Sequence, residues 1–164
     1  RAFGERSPRL QAWRSRAHEC LVARLQPLSC RGSWGGRALM VDRGVADGVE
    51  PDAVAPLAVL TRAAIRPLKA PAFWRHAPAA EAALAAAPGC RLAAGLGEAP
   101  LLRQATFSVW DSRAAMLAYA HGGAHGAAIR AAWGEQHFAE SMFARLRVLS
   151  MQGVWQGRVH DVHG

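Results

Sequence analysis

The amino-acid sequence predicts an α+β fold, and three observations lead to it. Over residues 57–150, stretches of period-two alternation and stretches of helical period follow one another as strand, helix, strand, strand, helix, strand. Residues 23–37, ARLQPLSCRGSWGGR, recur as residues 144–158, ARLRVLSMQGVWQGR, at a constant offset of 121. Hydrophobic residues make up 51% of the chain, yet no apolar run approaches the roughly 18 residues that cross a bilayer. A recurrence at long period marks a duplicated structural unit.

The elements follow in order. Residues 9–22 place Leu10, Trp13, Ala17 and Leu21 near a three-to-four spacing, which predicts a helix. Residues 23–30 alternate and predict a strand that ends in the turn region Gly32–Gly36. The stretch 42–56, DRGVADGVEPDAVAP, has the composition of a linker. Leu57, Val59, Thr61, Ala63 and Ile65 share one face of a strand that Pro67 ends. Residues 70–87 are alanine-rich and helical, with Pro71 suited to the first turn, a kink expected at Pro78, and Pro88-Gly89 as the stop. Strands follow at 91–97 and 104–110, separated by a turn at Glu98-Ala99-Pro100. Asp111 or Ser112 caps a helix over 113–120, Gly122-Gly123 breaks it, and a second helical piece covers 124–133. Residues 142–150 form the closing strand.

The order β-α-β-β-α-β is the ferredoxin-like split βαβ pattern. One such unit leaves a sheet face to cover, and two units with facing sheets make a dimeric α+β barrel. The division expected is therefore residues 1–41 as the last helix and strand of an incomplete first repeat, 42–56 as linker, 57–158 as a complete second repeat, and 159–164 as a polar tail. A chain that opens on Arg1 and carries only the end of its first repeat reads as the carboxyl-terminal portion of a longer protein.

The formal charge is +8, carried by arginines and the single Lys69. These cations are scattered, with no basic block and no nucleic-acid motif, so nucleic acid is not the expected partner. Scattered arginine fits a compositional bias, or attraction to an anionic membrane surface or an acidic redox partner. Cys20, Cys30 and Cys90 show no CxxC spacing, which argues against a disulfide framework or a zinc site and for a reducing, cytoplasmic setting. There is no nucleophile elbow, metalloprotease helix, phosphate loop or dinucleotide fingerprint, and no carboxylate pair stands out. No catalytic residue is assigned on sequence.

Histidine and arginine carry the remaining signals. His121 and His125 lie four apart in YAHGGAHGAAIR, but the glycine pair between them interrupts a helix and no third ligand is near. One imidazole facing a barrel interior would suit haem iron, and the same pattern suits a surface or hydrogen-bonded histidine. His18 and His137 read as helix-face residues, His76 as capping or exposed, His160 and His163 as solvated. Arg62 and Arg66 alternate on one strand face, either solvated or paired around an anionic group such as haem propionates. Phe107, Trp110 and Tyr119 gather at the strand-to-helix corner, as core or as the wall of a substrate pocket. Trp34 and Trp155 occupy matching positions in the two copies and read as structural.

The segments LAVLTRAAIRP (57–67), AFWRHAPAAEAALAAAPGCRLAAGLGEAP (72–100), ATFSVWDSRAAMLAYAHGGAHGAAIRA (105–131) and ESMFARLRVLSMQGVWQGR (140–158) resemble the spheroidene monooxygenase family of carotenoid biosynthesis. TRAAIRP, GLGEAP, FSVWDS and AYAHGGAH carry most of the specificity, and residues 8–37 resemble the end of that family's first half. The resemblance implies a haem-dependent monooxygenase that uses O2 and a ferredoxin-type electron donor. It would introduce a hydroxy and then a keto group at the terminal region of an acyclic carotenoid such as spheroidene. It implies His125 as the iron ligand, with His121 next. The scattered arginines would then suit a peripheral position at the inner membrane, and with most of the first repeat absent two copies of the chain could pair their complete units as a homodimer. Three other readings stay open: a cofactor-free monooxygenase of the α+β-barrel type, a non-catalytic binding protein for hydrophobic ligands, and a structural oligomerisation domain.

Overall fold

In the computed structural model the described residues are 7–39, 56–99, 101–122 and 137–163. The chain divides into two compact units, Gln26–Arg147 and a smaller one made of Arg1–Leu25 with Val148–Gly164.

The larger unit is built on β2 (Leu57–Ile65), α2 (Ala70–Ala85), β3 (Cys90–Ala99), β4 (Arg103–Trp110), α3 (Arg113–His121) and the first part of β5 (Phe138–Trp155). The sheet order is β1-β5-β2-β4-β3, with β1 (Leu21–Gly32) at the edge. The β2–β4, β2–β5 and β3–β4 pairs are antiparallel. Within β5-β2-β4-β3 the chain order is fourth, first, third, second, which is the ferredoxin-like arrangement the sequence predicted. The apolar residues of β2 explain its central place: Leu57, Ala58, Val59, Ala63 and Ile65 are all buried.

Register fixes which residues share a face. Val59, Thr61 and Ala63 lie level with Ser108, Thr106 and Gln104 of β4, and these lie level with Ala93, Gly95 and Gly97 of β3. Leu57, Val59, Trp110, Leu84 of α2 and Met116 of α3 form a buried cluster on that side. A 3₁₀ turn at Pro67–Lys69 leads into α2, which accepts Pro71 in its first turn and runs through Pro78 to Ala85. Leu84 is its one buried side chain among the described residues. The Ser112 hydroxyl caps α3 by accepting from the Ala115 N–H at 3.2 Å, a contact worth about 1 kcal/mol.

The smaller unit holds α1 (Pro8–Arg14), the start of β1, the end of β5 and β6 (Arg158–His163). Two expectations are corrected here. The helix expected over 9–22 ends at Arg14, because Leu21 onward is strand and the Cys20 carbonyl accepts from the Val154 N–H at 2.9 Å. The polar tail expected at 159–164 is strand β6, paired to β5 from Trp155↔Arg158 to Ser150↔His163. Positive φ at Gln156 (51°) and Gly157 (71°) gives the connection the two-residue geometry that matches strand twist. The helical piece expected at 124–133, and the linker expected at 42–56 except its last residue, lie outside the described residues.

The recurring segments end in the same local arrangement. Glu140 accepts from the Gly35 and Gly36 N–H groups at 2.8 and 2.9 Å, and Glu19 accepts from Gln156 and Gly157 at 2.6 and 2.7 Å. The Ser33 N–H reaches the Ser141 carbonyl at 3.0 Å, as Val154 reaches Cys20. Every one of these pairs of equivalents is 121 residues apart. Gly32 and Gly153 are equivalents too, and a Cβ at either would collide with the backbone of Ser141 or Cys20, respectively.

Candidate functional site

The larger unit contains a cavity of about 1300 Å³ between the sheet and α2. Its floor is the face carrying Val59, Thr61, Ala63, Thr106, Ser108, Ala93 and Gly95, and α2 contributes Phe73, Trp74, Ala77, Ala80 and Leu84. One end is bordered by Trp110, Met116, Tyr119 and Ala120, and the other by His137, Phe138 and Leu101. The lining runs along β4 from Arg103 to Trp110, so the cavity extends roughly 24 Å along the strand at about 3.4 Å per residue. The wall is predominantly apolar, which suits a long hydrocarbon chain rather than a charged metabolite.

The Trp110 end is tightly packed. Trp110 is 1% exposed, its indole N–H donates to the Ser108 hydroxyl at 2.9 Å, and its ring lies 5.2 Å from that of Tyr119. Burial pushes the Tyr119 hydroxyl up to about 12, with a smaller contribution from Cys90. The phenol is therefore protonated at neutral pH and acts as a neutral hydrogen-bonding group, not as a phenolate base. Burial also raises the neighbouring Cys90 thiol, so it is no thiolate nucleophile.

The other end is aromatic and cationic. Phe73 packs edge-on against Trp74 at 5.3 Å and Phe138 at 5.8 Å, and the Trp74 indole donates to the Leu101 carbonyl at 2.7 Å. Arg31, Arg62 and Arg103 border the cavity, but Arg62 and Arg103 alternate with Ala63 and Gln104 and so take the sheet face opposite the floor. The Arg62 guanidinium lies 3.8 Å from the centre of the Trp34 ring, and that of Arg103 lies 5.9 Å from it. Trp34 thus holds two cations by their attraction to its π face.

The residues singled out in the sequence fare differently. Trp110 and Tyr119 line the cavity, and Arg62 borders it from the sheet face opposite the floor, where it stacks on Trp34. Arg66 does not: the register shifts between Ala64 and Ile65, β2 ends, and the exposed Arg66 donates through Nε to the Phe138 carbonyl at 3.3 Å. Phe107 lies level with Leu60 and Ala94, at alternate positions from Ser108 and Trp110, and is not part of the lining. His121 is exposed at the end of α3 and does not reach the lining, and His125 lies outside the described residues. His137, expected on a helix face, is instead 6% exposed just ahead of β5 and lines the cavity, as does the more exposed His76. The FAE start of β5 was the available signal for His137, because a strand beginning there moves its neighbour to the sheet end. Among the described residues no group of three His, Cys, Asp or Glu side chains converges.

No protein-family profile matches the chain. Over 157 residues it is 51% identical to spheroidene monooxygenase of Rubrivivax gelatinosus, a match covering 96% of this chain and 58% of that protein. The chain is thus similar over nearly its whole length to a spheroidene monooxygenase. It is also 44% identical to the spheroidene monooxygenase of Rhodobacter capsulatus, over 92% of this chain and 62% of that protein. The chain thus spans about three fifths of these two curated relatives. Among solved structures it resembles a Fusobacterium nucleatum protein classed as a candidate monooxygenase, with a TM-score of 0.57 and 16% identity over 71% of this chain and 51% of that one. A Pseudomonas aeruginosa protein matches at a TM-score of 0.51 and 17% identity, over 59% of this chain and 97% of that one. These two likenesses bear on the fold alone, and they agree with the ferredoxin-like order of the sheet.

Proposed function

We propose that the full-length protein is a monooxygenase that inserts oxygen near the end of an acyclic carotenoid, and that the cavity beneath α2 receives the carotenoid chain. The observation that carries this reading is an apolar cavity of about 1300 Å³, bordered at one end by Trp110 and Tyr119, in a chain 51% identical to a spheroidene monooxygenase. An apolar groove of this length positions a polyene by shape and keeps water from its end, which is most of what a protein contributes to such a reaction. In the overall reaction one atom of O2 enters the substrate. The other leaves as water, using two protons and two electrons from a ferredoxin-type donor.

Haem is the proposed cofactor, and the donor set fits it: an apolar cavity, imidazoles at its border, and Arg31 beside it for a propionate carboxylate. When bound, haem would supply the O2 activation that oxidation of an unactivated carbon requires. His125 is the proposed iron ligand. Among the described residues no helix is long and apolar enough to cross a membrane, and the proposed route to substrate is peripheral contact of the arginine-rich surface with an anionic membrane on the cytoplasmic side. The reciprocal contacts of the recurring segments support a barrel made from two like units, either within the full-length chain or between two copies.

The test is the absorption spectrum of the full-length protein purified with haem available, together with that of the His125→Ala variant. A Soret band that is lost or shifted in the variant supports the assignment. No band in the wild type overturns the haem reading, and an unchanged band in the variant overturns His125 as ligand.

A further inference from the structure

We infer that Ser108 is a specificity-determining hydrogen-bond donor, which selects a long apolar chain bearing an acceptor oxygen near its buried end over the plain hydrocarbon. The inference rests on the reading that the cavity holds a polyene, and it adds what that polyene must carry.

Ser108 is 4% exposed and lines the cavity floor. A serine hydroxyl has one proton to donate and two lone pairs. The Trp110 indole N–H occupies a lone pair at 2.9 Å, which fixes the oxygen in place. Among the described residues nothing accepts the Ser108 proton. Its level neighbours on the floor are Val59 and Ala93, neither of which offers a side-chain acceptor. The indole alone would be satisfied by this arrangement, but the hydroxyl would not. A buried donor left without an acceptor is unfavourable, and a ligand oxygen arriving at this point removes the deficit. An ether, alcohol or ketone oxygen meets the requirement, because each accepts and none needs a counter-charge. A hydrocarbon end does not meet it.

The experiment is a titration of the full-length protein with two polyenes of similar length: spheroidene, which ends in a methoxy group, and lycopene, which has no oxygen. Binding is followed by the shift of carotenoid absorption in wild type, Ser108→Ala, Ser108→Thr and the double variant Ser108→Ala with Trp110→Phe. The double variant removes both partners of the bond, so no buried donor is stranded if the single variant folds poorly. Wild type should prefer spheroidene roughly fivefold or more, the range of one neutral hydrogen bond. Ser108→Thr should keep the preference, while Ser108→Ala and the double variant should lose it by weakening spheroidene alone. Equal weakening of both polyenes, or an unchanged preference without the hydroxyl, overturns the role of Ser108 and leaves the carotenoid reading standing. A wild type that binds neither polyene overturns that reading, and this inference with it.

Discussion

Gly32→Ala should destabilise the protein more than Gly36→Ala, although the two glycines have nearly the same φ. Gly32 has φ of 81° and Gly36 has φ of 71°, both in the left-handed region. An alanine there costs about 1–2 kcal/mol for its Cβ against its own backbone. At Gly36 the cost ends there, because nothing lies within 4 Å of the added carbon. At Gly32 the Cβ runs into the Ser141 carbonyl, the acceptor of the Ser33 N–H at 3.0 Å. The carbonyl has to move, and a hydrogen bond worth about 1 kcal/mol is lost along with the strain of moving a strand. A total near 3 kcal/mol corresponds to a fall in Tm of roughly 6–12 °C for a chain of this size, against roughly 2–8 °C for the backbone cost alone in Gly36→Ala. Thermal or urea unfolding of the 164-residue chain measures both. Equal losses from the two substitutions would refute the reasoning, because it assigns the difference to one backbone contact.

Two further outcomes are expected. The Glu140 carboxylate is held below its ordinary value of 4.5, first by the Ser33 hydroxyl, then by the Gly36 and Gly35 N–H groups, with Arg103 adding attraction. Its contribution is present above the unfolded value and is lost as pH falls through the lower folded value. Glu140→Gln should therefore be less stable than wild type at pH 7 and equal to it once pH falls well below 4.5, as read from urea midpoints across pH. Gly95→Phe should weaken polyene binding at least tenfold with little change in Tm, since Gly95 lines the cavity and the nearest atom to an added Cβ, a Glu81 carboxylate oxygen, is 3.8 Å away. Unaltered binding in a folded Gly95→Phe protein would place the ligand elsewhere.

The sheet was legible because its strands are bounded by strong punctuation. Pro67, Pro88-Gly89 and the Ser112 cap each mark a boundary that the structure keeps within a few residues. The strand β6 was missed because six residues rich in His, Arg and Asp carry little apolar contrast, and their pairing depends on the positive φ of Gln156 beside Gly157. The reciprocal Glu19 and Glu140 contacts lay just outside the segment where the repeat is dense, and one matching glutamate has no weight in a sequence until its turn amides are seen. Pairing Arg66 with Arg62 assumed unbroken alternation, and the register shift at Ala64/Ile65 removes it. Grouping Phe107 with Trp110 set nearness in sequence above the two-residue period that separates them. Ser108 lies within the FSVWDS segment, but neither it nor His137 belongs to a motif that assigns it a role. Their interest comes only from burial beside a cavity, which a single sequence does not display.

The most direct test of the central claim is product analysis of the full-length protein incubated with spheroidene, a reduced ferredoxin-type donor and ¹⁸O₂. The account predicts a product heavier by one labelled oxygen near the chain end, formed by wild type and suppressed in Gly95→Phe, whose phenyl ring would occupy the cavity. Unmodified spheroidene from an active-fold wild type, or full turnover in the cavity-filled variant, would contradict it.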